Sequence, residues 1–226
     1  MTKKMELNEI MQIANETILQ VKRILKFGSG SIIEDILQSD SESLGRSDYA
    51  RDMYAEENQD DFSELKKITL RAAAAEIAMG GNCHESASLV FSYLMANTKN
   101  LKIQLCRERM DDCPSDFHVF TRIILDQSTC IIADEWGSNP TAYISQTNST
   151  SKDIMHEDIT DESNALYFEC IEILKKGECY LFWQRREREN KDPLVNVYKT
   201  CDNLEHLASD KYIGGRGKRA YNDPTP

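Results

Sequence analysis

No stretch of this chain approaches 18 consecutive apolar residues, so no segment is long enough to cross a bilayer as a helix. No CxxC pair occurs among the seven cysteines, Cys83, Cys106, Cys113, Cys130, Cys170, Cys179 and Cys201. An odd, scattered set is the pattern of thiols in a reducing compartment rather than of a disulfide framework. Neither GxxxxGK[ST] nor GxGxxG is present, which removes the common phosphate-cradling loops. Positive charge is also short: 27 Lys and Arg face 38 Asp and Glu, for a net charge of -11. Such a chain is repelled by nucleic acid and by anionic membrane surfaces, and the basic run at residues 185–188 reads as a solvated helix face. The N-terminus has two lysines but neither the apolar core nor the cleavage site of a classical secretory signal. Export through a specialised injection system, whose signals have no sharp pattern, stays open.

What is present suffices for a core. A chain of 226 residues buries roughly 70% of its unfolded surface without staples of disulfide or metal. Leu7, Met11, Ala14, Ile18, Val21 and Leu25 recur at helical spacing and predict an amphipathic helix over residues 5–26, with a short helical piece over 32–37. Residues 39–61 are rich in Ser, Asp, Glu and Asn without periodicity and read as a long loop or linker. The alanine-rich stretch 63–79 predicts a helix capped by Ser63 and stopped by Gly80-Gly81, and a second helix over 83–97 carries the apolar stripe Leu89, Val90, Tyr93 and Leu94.

Residues 101–106, 117–125 and 129–135 read as strands. Thr121 and Arg122 suggest a partly covered sheet, and Asp126-Gln127-Ser128 forms the turn of an antiparallel hairpin. Residues 145–153 read as a polar loop, 162–176 as a helix with Leu166, Cys170, Ile173 and Leu174 on one face, and 179–183 as a strand or another helix start. The expected organisation is a helical extension and polar linker over 1–61, a main α+β domain over 62–213, and a tail over 214–226 that is disordered by composition.

The chemistry concentrates between residues 80 and 137. GGNCHESA places Cys83 in the first turn of its helix, where backbone N–H groups have no intrahelical partner. Their positive end favours a thiolate over a thiol, and the same N–H groups can hold an oxyanion once the thiolate attacks a carbonyl. The two glycines would let a substrate approach closely. His118, in DFHVF, lies on one predicted strand and Asp134, in IIADEWG, on the next. Neighbouring antiparallel strands set such side chains side by side or diagonally, so Asp134 can fix the ring that serves Cys83. Glu135 is sent to the opposite face by strand alternation.

Together these residues make a nucleophile, a base and an orienter, with Asn82 and the Cys83 backbone as candidate oxyanion donors. His84 points about 100° away from Cys83 around the helix and is a poor base for it, and Glu85 suits a helix-start charge or an ion pair. A zinc site from Cys83, His84, Cys106, Cys113 and His118 lacks the paired spacing of structural zinc.

GGNCHESA, DFHVF and ADEWG, in this order, resemble the Cys–His–Asp core of the papain-like and transglutaminase-like thiol enzymes. Arylamine N-acetyltransferases have a similar Gly-Gly-x-Cys-x-Glu start. The Gly-Asn-Cys helix start, the His-Val-Phe strand and the Asp-x-Trp strand are most similar to the Pasteurella multocida toxin-type deamidase domain and related injected bacterial effectors. The likeness covers residues 80–137, about a quarter of the chain. It implies a papain-like α+β core with Cys83 as nucleophile, His118 as base and Asp134 as orienter. It also implies no cofactor and a host protein as substrate.

Glutamine deamidation is the leading expectation. Proteolysis and transglutamination need the same residues and differ only in the leaving and incoming groups. An alternative of another class is an acidic, non-catalytic adaptor that binds a partner through the polar segment 39–61.

Overall fold

The spacing that marks the first helix produces α1 (Leu7–Ile24), which buries Ile10, Ala14, Ile18 and Val21 at intervals of four, four and three. The buried face is rotated slightly from the expected stripe, since Leu7 is exposed and Met11 only half-buried. The structure, a computed structural model, describes residues 6–39, 42–57, 59–110, 113–135, 141–147, 152–160 and 165–188. The expected tail 214–226 lies outside them. Within them the chain is α+β, with a five-stranded antiparallel sheet and seven helices.

After α2 (Ile33–Gln38) comes a correction. Residues 39–61 are not an open linker: α3 (Glu42–Glu56) occupies most of them and buries Ser43, Gly45, Ser47, Tyr49, Ala50 and Met53. Small polar residues stand where an apolar stripe would be expected, because this face lies close against its neighbours. The main neighbour is α4 (Glu64–Ala78), whose Ser63 cap accepts from Lys66 N at 3.2 Å. Ala72 to Ala75 are fully buried, so α3, α5 and α6 all reach its axis. The left-handed residue that ends α4 is Met79, one position before the glycines.

Next along the chain is α5 (Cys83–Asn97), followed by strands β1 (Lys102–Met110), β2 (Cys113–Ile124), β3 (Thr129–Ala133), β4 (Tyr143–Gln146) and β5 (Lys152–Ile159), in the order β4-β3-β2-β1-β5. The turn at 126–128 joins β2 to β3 as an antiparallel hairpin. Part of the segment read as a polar loop, 145–153, belongs instead to the edge strands β4 and β5. The chain closes with α6 (Leu166–Leu174), which buries Cys170 and Leu174, and α7 (Glu178–Arg188).

Strand alternation divides the sheet into two faces. Ile103, Leu105, Val119, Ile123, Ile131 and Ala133 join α1, α4 and α5 in the main core. Cys106, Phe120, Cys130 and Ile132 form a small cluster on the other face. A third cluster unites α3, α4, α6 and α7, so the helices of the first 61 residues share both helical cores with the rest of the chain.

Two side-chain expectations change. Tyr93 does not face the sheet; it donates to Glu76 at 3.3 Å and meets the Tyr167 ring edge-on. Thr121 and Arg122, read as signs of a partly covered sheet, are themselves buried and satisfied, although the helices that join the main core pack on one face. Thr121 donates to Ala87 O at 2.8 Å, and Arg122 donates to Gln104 at 2.6 Å.

Candidate active site

Asn82 caps α5 and forms a capping box with Glu85, whose Oε2 accepts the Asn82 backbone N–H at 2.9 Å. Cys83 is therefore the first residue of a well-anchored helix. Gly81 permits this geometry, since a Cβ there would lie 2.5 Å from the Glu85 Cβ, and one on Gly80 would lie 2.7 Å from that of Arg46. Both glycines are thus required by packing against Glu85 and Arg46 on their Cβ side. Glu85 is buried, and its Oε1 lies 4.0 Å from both Arg51 and Arg71. It is a helix-start charge and an ion-pair partner at once.

His118 and Asp134 meet as the hairpin register requires. The β2–β3 ladder pairs Thr121 with Ala133, which puts His118 diagonal to Asp134 on the face shared with Phe120. Nε2 of His118 and Oδ2 of Asp134 are 2.7 Å apart. The side chain of His118 is 3% exposed and that of Asp134 12%. Burial works against a charged ring here, but the hydrogen bonds to Asp134 and Cys83, with the charges of both, outweigh it. The His118 pKa is pushed up to about 9, so the ring is an imidazolium at neutral pH.

Cys83 reaches this pair where the ladder has stopped. Its Sγ lies 3.8 Å from the carbonyl oxygen of Phe117, the residue before His118. Glu135 takes the opposite face, as expected, and is 6% exposed. Its Oε2 accepts the Ser86 hydroxyl at 2.7 Å, one helical turn after Cys83. No local pattern in the sequence marks this tie between α5 and the segment that follows β3. Trp136, the last member of the Asp-x-Trp pattern, lies outside the described residues.

His84 is held apart from this chemistry. Arg71 Nη1 donates to its Nε2 at 2.7 Å. Burial, reinforced by the charges of Arg71 and Arg51, pushes its pKa down to about 3. It is a neutral acceptor throughout the physiological range.

The residues weighed for zinc are not gathered into one group among the described residues. Cys106 sits in the cluster on the face away from α5, and the Cys113 side chain lies outside the described residues. Among the described residues no group of three or more His, Cys, Asp or Glu side chains could hold a metal ion. No described helix is long and apolar enough to cross a membrane.

The arrangement offers a thiol at a helix start, a protonated imidazole that is buried beside it, and a carboxylate that fixes the ring. Comparisons with protein families, characterised proteins and solved structures find no match to this chain.

Proposed function

We propose that the protein is a thiol acyl-transfer enzyme with Cys83 as nucleophile, His118 as acid and base, and Asp134 as orienter. The observation that carries this reading is the buried 2.7 Å His118–Asp134 pair acting on a cysteine at the first turn of α5. With Nε2 committed to Asp134, the proton moves between Nδ1 and the sulfur. The thiolate attacks a carboxamide carbon, a C–S bond forms, and the oxyanion is held by the Cys83 backbone N–H. The imidazolium gives its proton to the leaving nitrogen as the C–N bond breaks. Water then attacks the thioester, His118 takes its proton, and the thiolate departs.

The substrate favoured is a glutamine side chain of a host protein, so that ammonia leaves and glutamate remains. This choice rests on the resemblance of the three motifs to the deamidase domains of injected effectors. It brings with it delivery into the host cytosol by a specialised injection system and a papain-like core. The α5-on-sheet arrangement supports that core. The same residues would serve a cysteine protease or a transglutaminase. For the adaptor alternative, the segment 39–61 is mostly the helix α3 rather than an open loop, so a partner would meet the exposed side of that helix.

The test is mass spectrometry of candidate host proteins after exposure to wild-type protein and to Cys83→Ala. A gain of about 1 Da on a glutamine, seen with wild type alone, is expected. Cleavage or crosslinking would replace deamidation by the corresponding reaction. Modification that persists with Cys83→Ala would overturn the mechanism.

A further inference from the structure

We infer that the side chain of Asn82 supplies a second oxyanion donor through Nδ2, and that Ser29 and Ser47 position it. The inference rests on the reading of Cys83 as nucleophile. Asn82 directly precedes Cys83, and in the capping box its side chain faces the backbone N–H of Glu85. A backbone N–H can only donate, so the amide atom turned towards the helix is Oδ1. The Ser29 hydroxyl donates to the same oxygen at 3.2 Å, and the Ser47 hydroxyl approaches it to 3.4 Å. Ser47 also donates to Ser43 O at 2.9 Å, so Ser29 is the stronger of the two supports.

These serines arrive from far along the chain, and their own positions are fixed. Gly28, at φ 74°, opens the turn that carries Ser29. Asp35 Oδ2 accepts the Ser29 N–H at 2.7 Å, and Ser47 Oγ accepts the Gly30 N–H at 3.1 Å. Ser29 and Ser47 are thus each fixed where they meet the acceptor end of one amide. The amide group is planar, so engaging Oδ1 on this side turns Nδ2 away from the serines. Among the described residues no acceptor takes Nδ2.

A helix cap needs only an oxygen, which Ser or Asp supplies as well as Asn. Asparagine adds a neutral N–H donor beside the nucleophile. That donor gains strength when the carbonyl oxygen of the substrate becomes an oxyanion. Asn82 would then act with the Cys83 backbone N–H. Ser29 and Ser47 are positioning residues, because they reach the reacting atoms only through Asn82.

Two small reagents separate this role from a structural one. Acylation of Cys83 by p-nitrophenyl acetate passes through a tetrahedral oxyanion. Alkylation by iodoacetamide displaces iodide and forms none. Asn82→Ser keeps a capping oxygen and removes Nδ2. Its acylation rate is expected to fall about 10- to 100-fold, while its alkylation rate changes less than about threefold. Ser29→Ala should lower the acylation-to-alkylation ratio by a few-fold in the same direction.

An unchanged ratio in Asn82→Ser, with Cys83 still the reactive thiol, overturns the oxyanion assignment and leaves the nucleophile in place. Equal falls in both rates mean that Asn82 acts only as a cap, which also overturns it. A wild-type protein whose Cys83 reacts no faster than its other cysteines overturns the nucleophile and this inference together.

Discussion

Asp134 and Glu135 follow each other just beyond β3, and the alternation of the strand gives them different work. Asp134 meets the imidazole, while Glu135 turns to Ser86. Asparagine at position 134 preserves size and a hydrogen-bonding oxygen but removes the charge that helps to hold His118 protonated. The His118 midpoint, followed by NMR of its ring protons, should then drop from about 9 towards the ordinary imidazole value. On the proposed mechanism, hydrolysis of p-nitrophenyl acetate should fall about 10- to 1000-fold, less than the roughly 10⁴ of a serine protease triad, because a thiol is more readily activated than a hydroxyl and leans less on its orienter. A midpoint that stays at 9 would mean that Asp134 is not the charge His118 feels. The meeting of Cys83, His118 and Asp134 was legible in sequence because each sits in a short pattern whose backbone state is easily read: a helix start after glycines, one strand of a hairpin and the end of the next. Ser29, Ser47 and Ser86 were not, since hydroxyl groups join the site only through contacts that the fold creates.

The elements carry that logic one level up. The start of α5 is fixed by the capping box, and its body is tied to the sheet by the Thr121 hydroxyl at Ala87 O and by the Ser86–Glu135 bond. The last of these connects the helix that starts at Cys83 to the strand end that carries Asp134. Glu135→Gln keeps an acceptor for Ser86 and should cost less than about tenfold in turnover, as expected for a side chain that cannot reach the imidazole. Glu135→Leu removes the acceptor and leaves a buried hydroxyl unsatisfied. It should lower stability by about 1–3 kcal/mol in urea denaturation, with turnover falling as the helix and strand lose their tie. Equal stability of Glu135→Gln and Glu135→Leu would show that the Ser86 bond holds nothing together. Amphipathic period made α1 readable, and β-branched and aromatic content did the same for the hairpin. The helix α3 escaped because half of the residues it buries are Ser43, Gly45 and Ser47, which blurs the usual contrast between apolar and polar faces. The strand β5 escaped because an edge strand needs no apolar run; much of Lys152–Ile159 is charged and exposed.

Across the whole molecule, two histidines shift in opposite directions and each shapes how stability responds to pH. His118 has a folded pKa of about 9, above the roughly 6.5 of an unfolded imidazole. The folded state therefore binds its proton more tightly. That contribution is complete below pH 6.5 and is lost as the pH rises towards 9. His84 behaves in reverse, with a folded pKa of about 3. Between pH 6.5 and 3 the unfolded chain takes up a proton that the folded chain refuses, so stability falls as the pH drops. Each pKa unit corresponds to about 1.4 kcal/mol, which makes either limb worth a few kcal/mol at most. The two limbs meet near pH 6.5, where both contributions are whole. Chemical denaturation from pH 4 to 9 should thus show a maximum near neutrality rather than at the acidic isoelectric region that a net charge of -11 would select. The carboxylates of the chain add to the acid limb, so the variants decide the assignment. His84→Gln, which still offers Arg71 an acceptor, should flatten the fall below pH 6.5 relative to wild type. His118→Gln should flatten the fall above it. If His84→Gln leaves the acid limb as steep as before, His84 is not held neutral in the folded protein and its pairing with Arg71 is not as drawn.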